Sequence, residues 1–393
     1  MSRAALDRLR MQQALDLARN AIGVSDPNPR VGCVIGTEDG QVLGVGSTQQ
    51  AGGPHAEVMA LRAAEGAGNA HRLRGATAWV TLEPCAHHGR TPPCCDALVA
   101  HGLARVVVAL KDPFPGVSGQ GLARLRAAGV QVDGAATDQA TVAWALNIGY
   151  FSRVMRQRPW VRLKVASTLD GRTSLDNGVS QWITGEAARR DGHAWRRRAS
   201  AVLTGIGTVL SDDPRLDVRL VPSDRQPLRV VVDSRLRLPA NARLLSTPGH
   251  VLVASACTDG DRAAVLQAQG VEVVYLPGHA TAGLPPTVDL GALLSNLSAR
   301  DVNELHVEAG PRLNAGLLAA GWVDELLVYT APTLVGPGQG MVAWPALHSL
   351  PQSSPWRFMS TDLVGEDLRL CLRSGDADFG RLPTRLQVSD GFT

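Results

Sequence analysis

Short runs of apolar and β-branched residues, ARVVVAL at 104–110, LRVVVDS at 228–234 and HVLVAS at 250–255 among them, alternate along this chain with stretches of helical apolar spacing. Such alternation constrains the chain to an α/β layer architecture. In the first part, VGCVIGT and QVLGVGS read as a strand pair around Glu38-Asp39-Gly40, AEVMALRAAEG as a helix, TAWVTL as a strand and CDALVAHG as a helix. Residues 141–157 then read as one helix that ends at Arg158-Pro159, because the residue before a proline is pushed out of the helical region. The alternation restarts at WVRLKVAST, 160–168. A chain of 393 residues is two to three times the ~100–200 residues of one domain. Two α/β domains are therefore expected, 1–150 and 158–375. Residues 376–393 carry few packed apolar positions and read as a mobile tail.

Composition narrows the partners. Hydrophobic residues make up 45% of the chain and charged residues 19%, enough apolar material for packed cores and unlike a disordered chain. A net charge of +3 offers no strong field for steering toward nucleic acid or anionic membrane, so a small-molecule partner is expected. The N-terminal stretch has Arg and Asp interleaved at helical spacing and reads as an amphipathic helix, not a signal peptide. No apolar run approaches the roughly 18 residues of a bilayer span, which points to a cytoplasmic protein. The six cysteines are spaced irregularly, unlike a disulfide framework, and suit thiol or metal chemistry instead. Only two of the 39 basic residues are lysines, Lys111 and Lys164. Lys164 interrupts an apolar strand, where an unpaired charge is costly, so it should meet a carboxylate, a phosphate or a substrate.

Three soft or borderline donors fall at element boundaries: His55 after Gly52-Gly53-Pro54, Cys85 after a strand, and Cys94 at a helix start. This donor set suits Zn²⁺, and three protein ligands leave the fourth position open. A water there has its pKa lowered to about 7, which makes hydroxide available at neutral pH. Glu57, two residues from His55, can move the proton from that water to a leaving amine. Cys95 or His87 could instead complete a closed structural zinc site. Adjacent cysteines point in different directions along a helix, however, and Glu57 would be left unexplained.

His-Ala-Glu followed by Pro-Cys and a further Cys resembles the zinc-dependent cytidine deaminase superfamily. The longer insert through His87-His88-Gly89-Arg90-Thr91-Pro92-Pro93-Cys94, with Asn28-Pro29-Arg30, is similar to the deaminase half of the bifunctional riboflavin-biosynthesis deaminase-reductases. Thr48 and Phe114 depart from that family's pattern, both at positions near the substrate. In the second half, Gly205-Ile206-Gly207-Thr208 and Glu308-Ala309-Gly310 follow strands as phosphate-approaching turns do, without a complete GxGxxG fingerprint. Together with Ser180-Gln181-Trp182 and Asp212-Asp213-Pro214-Arg215-Leu216, they come in the order of the same family's reductase half.

The resemblance implies a cytidine deaminase-like three-layer α/β/α domain followed by a dihydrofolate reductase-like α/β domain. It implies one zinc on His55, Cys85 and Cys94 with Glu57 as the proton carrier. It implies NADPH at Ala166, Trp182, Thr208, Asp212, Ser234 and the turn Gly310, Pro311, Arg312, Leu313, Asn314, Ala315 and Gly316. Ser180, Arg196, Leu216, Arg219 and Glu308 match substrate positions, with Lys164, Asn28 and His87 as further candidates. The implied substrate is a phosphorylated pyrimidine, acted on by a homo-oligomer. Two rival readings are a nucleic-acid base deaminase, which a tRNA gel shift would reveal, and a non-catalytic zinc-stabilised binding protein, which would show no turnover.

Overall fold

The computed structural model describes residues 1–86, 93–279, 285–349, 354–375 and 378–388. It divides into two units, 1–156 with 381–393, and 157–380.

In the first unit, the order is α1 (Arg3–Asn20), β1 (Gly32–Gly36), β2 (Val42–Ser47), α2 (Ala56–Gly66), β3 (Thr77–Val80) and α3 (Cys94–Ala100). It continues with β4 (Arg105–Val108), α4 (Gln120–Ala127), β5 (Gln131–Gly134), α5 (Thr137–Leu146) and α6 (Ile148–Arg156). The sheet runs β2-β1-β3-β4-β5, antiparallel across β2, β1 and β3 and parallel from β3 to β5. Strands β1, β3 and β4 are buried along their whole length, as strands covered on both faces should be. Glycines let two helices lie directly on the sheet. A Cβ on Gly32 would fall 1.9 Å from the Ala14 carbonyl of α1, and one on Gly46 would fall 2.3 Å from the Ala56 carbonyl of α2. The start of α2, and with it His55, is thereby fixed by backbone contact.

Two expectations change here. The single helix expected over 141–157 is two helices broken at Asn147, whose side-chain amide pairs with the backbone of Arg30 in both directions. The segment expected as a mobile tail has buried anchors in this unit: Leu386 and Val388 are buried, and the Lys111 amide donates to the Leu386 carbonyl at 2.9 Å. Those two apolar side chains are what a reading of overall polarity passes over. Residues 376–377 and 389–393 of that stretch lie outside the described residues.

The second unit comprises β6 (Trp160–Thr168), β7 (Arg172–Leu175), α7 (Glu186–Arg198), β8 (Ala201–Gly205), α8 (Ile206–Asp212), β9 (Leu228–Val232), β10 (Val251–Ser255) and α9 (Gly260–Gln267). Then come β11 (Val271–Tyr275), α10 (Leu290–Ala299), β12 (Glu304–Val307), α11 (Pro311–Ala319), β13 (Glu325–Ala331), β14 (Gly338–Gly340), β15 (Trp356–Val364) and β16 (Asp367–Ser374). Nine strands form one sheet in the order β11-β10-β9-β8-β12-β6-β13-β16-β15, parallel up to β13, with an antiparallel hairpin at the edge. The core of Val161, Leu163, Leu203, Val230, Leu252, Leu305 and Val307 sits on the central parallel strands. Beneath α7 the sheet instead carries charge. Arg162 pairs with Glu304 at 2.9 Å and with Glu325, and the Trp195 ring stacks 4.3 Å from its guanidinium. No helix among the described residues is long and apolar enough to cross a membrane.

Candidate active sites

The three proposed metal donors converge. His55 is the N-cap of α2, Cys94 opens α3, and Cys85 follows the turn after β3. His55 Nδ1 lies 3.7 Å from Cys85 Sγ and 3.3 Å from Cys94 Sγ, and the three ligand atoms are all within 4.8 Å of one another. Two thiols and an imidazole at this separation are a donor set that fits zinc. The Cys94 amide also donates to Cys85 Sγ at 3.3 Å, the use of a helix N-terminus to hold a thiolate. Hydrogen bonding from Cys94 and His55 pulls the Cys85 thiol below its ordinary range despite burial, and the same hydrogen bond to Cys85, with burial, pushes Cys94 up.

Glu57 stands in the first turn of α2 and is buried. Burial pushes its carboxyl up to about 7, against the opposing pull of His55. A carboxyl poised near neutrality beside the donors can both take and return a proton. Cys95 is buried with its thiol toward Asp96 rather than in the donor cluster. His87 lies outside the described residues. Asn28 sits in the turn after α1, held through its backbone to Ser25. Thr48 exchanges hydrogen bonds with the Val31 backbone, and Phe114 is exposed.

Two residues here escaped the sequence reading. Glu83 is buried, and its carboxylate accepts four backbone amides: Asp112 at 3.2 Å, Gly119 at 3.0 Å, Gly121 at 2.9 Å and Leu122 at 3.3 Å. Its position just before Pro84-Cys85 was the available signal. Tyr150 of α6 donates to the buried Asp112 carboxylate at 3.0 Å, a pairing without local sequence signal.

In the second unit the candidates gather at the C-terminal ends of the parallel strands, where ligands of open α/β sheets bind. Arg196 of α7 grips Glu308 with two hydrogen bonds, 2.5 and 2.9 Å, and donates to the Asp217 carbonyl at 2.9 Å. Arg196 and the neighbouring His306 and Lys164 hold the Glu308 carboxyl well below its usual range, overcoming burial. Lys164 Nζ lies 5.8 Å from the centre of the Tyr329 ring, and burial lowers its pKa. The lysine thus faces a carboxylate and an aromatic ring.

Ser180 donates to Asp212 at 3.2 Å, joining a substrate candidate to a cofactor candidate. Leu216 is buried at φ +54°, and Arg219 pairs with Asp217 at 2.5 Å. Trp182 is exposed, with the Arg189 guanidinium 4.7 Å over its ring. Ala166 is half-buried on β6 opposite Tyr329.

The Gly310–Gly316 turn becomes the start of α11: Gly310 is the N-cap with no side-chain cap, and Pro311 opens the helix. A Cβ on Gly310 would come within 3.6 Å of Thr208 Oγ1, so the two turns meet. An uncapped helix N-terminus with room for close approach fits a dinucleotide phosphate. Arg312 is exposed in this first turn, close to Leu313 and Ala315. Asn314 is buried, donating to the Met341 carbonyl at 2.9 Å while its Oδ1 has no partner. Ser234 is half-buried, its hydroxyl accepting the Val288 amide at 3.1 Å. The sequence reading missed Tyr329, Arg189 and His193, the last accepting the Arg219 amide on Nδ1 at 3.2 Å.

Comparison with known proteins bears on both sites. Residues 5–110 match the family model of the cytidine and deoxycytidylate deaminase zinc-binding region, and residues 159–370 match that of the RibD C-terminal domain. The riboflavin biosynthesis protein RibD of Escherichia coli is 42% identical over 379 residues, covering 93% of this chain and 99% of that protein. That of Aquifex aeolicus is 39% identical over 363 residues, covering 92% and 97%. Acinetobacter baumannii RibD, form 1, superposes with a TM-score of 0.83 at 39% identity over 94% of this chain and 99% of the other. A Thermotoga maritima diaminohydroxyphosphoribosylaminopyrimidine deaminase/5-amino-6-(5-phosphoribosylamino)uracil reductase gives 0.82 at 31% identity, covering 95% and 100%. The chain belongs to the RibD family, bifunctional riboflavin biosynthesis enzymes that join a zinc-dependent deaminase to an NADPH-dependent reductase.

Proposed function

We propose that the first unit hydrolytically deaminates 2,5-diamino-6-ribosylamino-4(3H)-pyrimidinone 5′-phosphate and that the second reduces the ribosyl side chain of 5-amino-6-(5-phosphoribosylamino)uracil to ribityl. The observation that carries the first assignment is a buried Glu57 beside three converging donors. His55, Cys85 and Cys94 hold the zinc, which when bound supplies Lewis acidity and lowers the pKa of water. Glu57 takes a proton from the water that adds to the amino-bearing ring carbon. It returns that proton to the nitrogen as the carbon–nitrogen bond breaks, so ammonia leaves and a carbonyl remains.

In the second unit, bound NADPH supplies hydride, and the protein's task is to orient two ligands and exclude water. The first turn of α11, Thr208, Ala166, Trp182, Asp212 and Ser234 are assigned to the cofactor. Ser180, Arg196, Leu216, Arg219 and Glu308 are assigned to the substrate. Arginine forks suit its phosphate, and Glu308, kept ionised by Arg196, suits its hydroxyls. Lys164, half-buried beside Glu308, lies in the same site.

The protein is assigned to the cytoplasm, acts on small phosphorylated pyrimidines and not on nucleic acid, and self-associates. The support for self-association is β15, an edge strand with Phe358, Met359 and Leu363 exposed. Light scattering would test it. For the activities, the deciding experiment is Glu57→Ala. The variant should retain zinc, lose ammonia release by about 10²-fold or more, and consume NADPH normally with the deaminated substrate. Loss of both activities together would overturn the two-site assignment.

A further inference from the structure

Residues 381–388 follow the reductase unit in sequence yet belong to the deaminase unit. They lie beyond the reductase family model, which stops at 370. After Pro383 the chain makes one 3₁₀ turn, Thr384–Leu386, and buries Leu386 and Val388. Gln387 and Val388 line an open pocket of about 310 Å³ with Ala109, Gly134, Thr137 and Ala140, at the C-terminal ends of β4 and β5. The segment thus covers the strand ends where the catalytic loops of a parallel sheet emerge.

Among the described residues, its backbone hydrogen bond to the body of the unit falls at a consequential place. The Leu386 carbonyl accepts the Lys111 amide at 2.9 Å. The next amide, that of Asp112, goes to Glu83 at 3.2 Å. Glu83 also holds Gly119, Gly121 and Leu122, and so pins both ends of the 112–119 loop and the start of α4. Two residues after Glu83 comes Cys85. On its two sides α4 touches the chain again. A Cβ on Gly121 would lie 2.0 Å from the Pro84 carbonyl, and Arg124 donates to the Ala86 carbonyl at 3.1 Å. An unbroken series of bonds therefore runs from Leu386 through peptide 111 and Glu83 to a metal donor.

We propose that residues 383–388 are a positioning strap for the deaminase centre, holding peptide 111 in place and with it the 112–122 loop that Glu83 ties to Cys85. Among the described residues no hydrogen bond joins the strap to the metal donors or to Glu57; it acts through the loop. Misplacement of a reacting centre by an ångström can cost on the order of 10²-fold in rate, so a contact at this remove is enough to matter. This inference rests on the assignment of His55, Cys85, Cys94 and Glu57 to deamination.

The test uses the full-length chain with Leu386→Asp, which puts a charge at a buried anchor, and the milder Val388→Ser. Hydrogen exchange followed by mass spectrometry reads the 111–122 peptides, beside zinc content, kcat and KM for ammonia release, and NADPH consumption. Both variants should speed exchange of 111–122 by about 10-fold or more, the signature of local opening. They should lower kcat/KM for ammonia release by about 10-fold, with NADPH consumption unchanged. Exchange and ammonia release at the wild-type level in both variants would overturn the proposal, as would an equal loss of both activities. If the wild type itself binds no zinc or releases no ammonia, the deaminase assignment fails, and the exchange result still decides whether the strap holds the loop.

Discussion

The two centres of this chain are built on opposite principles. The proposed deaminase centre draws its chemistry from two short stretches, 55–57 and 85–94, and the residue types are dictated by what binds zinc and what carries a proton. The proposed reductase centre draws on β6, α7, α8, the 212–219 loop, β9, the end of β12 and α11, and much of it is backbone geometry and ion pairing. Hydride transfer asks the protein for position, and position can be supplied by many side chains. One centre should therefore fail abruptly and the other by degrees.

Metal removal is the sharpest way to break this symmetry. A chelator that strips zinc should take ammonia release down by about 10³-fold or more, since the metal generates the nucleophile at neutral pH. NADPH consumption with the deaminated substrate should continue. Assaying both on one stripped sample checks this, and restoring zinc should restore only the first.

In the reductase the largest single effect should come from Arg196→Met. Arg196 and Glu308 are both largely buried, and removing one partner strands the other's charge. The typical cost is about 3–5 kcal/mol, taken here at the lower end because both side chains keep some exposure. Thermal unfolding of the second unit and the KM for the pyrimidine substrate should both move, while ammonia release stays.

One buried group in each unit should respond to pH with opposite sign. Burial pushes the Asp112 carboxyl up to about 6, so between its ordinary range near 4 and 6 this carboxyl binds more protons in the folded first unit than in the unfolded chain. Its contribution is present at low pH and is lost as pH rises through 6. In the second unit, burial and then Arg196 and Arg219 lower the His193 pKa to about 4. The unfolded chain then takes up the proton first, and stability is lost as pH falls from about 6.5 to 4, by on the order of 2 kcal/mol. Unfolding measured across pH 4–7 for wild type, Asp112→Asn and His193→Gln isolates each contribution. Each substitution should flatten its own unit's slope, in opposite directions.

How much was legible in the sequence follows the same divide. The convergence of His55, Cys85 and Cys94 could be read because metal chemistry tolerates few residue types. The central strands could be read because burial on both faces leaves nearly unbroken apolar runs. The β15–β16 hairpin was not read: β15 lies at the sheet edge and exposes most of its residues, so no apolar alternation marks it. Glu83 and Tyr150 were missed because their partners, backbone amides and Asp112, are distant in sequence. The anchoring of 383–388 depends on two apolar residues in a polar stretch, too few to change its average character.

Arg312 gives the smallest expected effect and the finest test of the contrast. It is exposed in the first turn of α11, where unpaired amides and the helix dipole already favour a phosphate. A guanidinium there adds a second, independent attraction without touching the reacting carbon. Because that attraction is the same before and during hydride transfer, its loss changes binding and leaves the chemical step alone. Arg312→Ala should raise the KM for NADPH about 5-fold, close to 1 kcal/mol, with kcat unchanged. The increase should shrink with added salt, as an exposed charge contact requires. A fall in kcat would instead put Arg312 in the orientation of the nicotinamide, and the reductase centre would then depend on single residues as the zinc centre does.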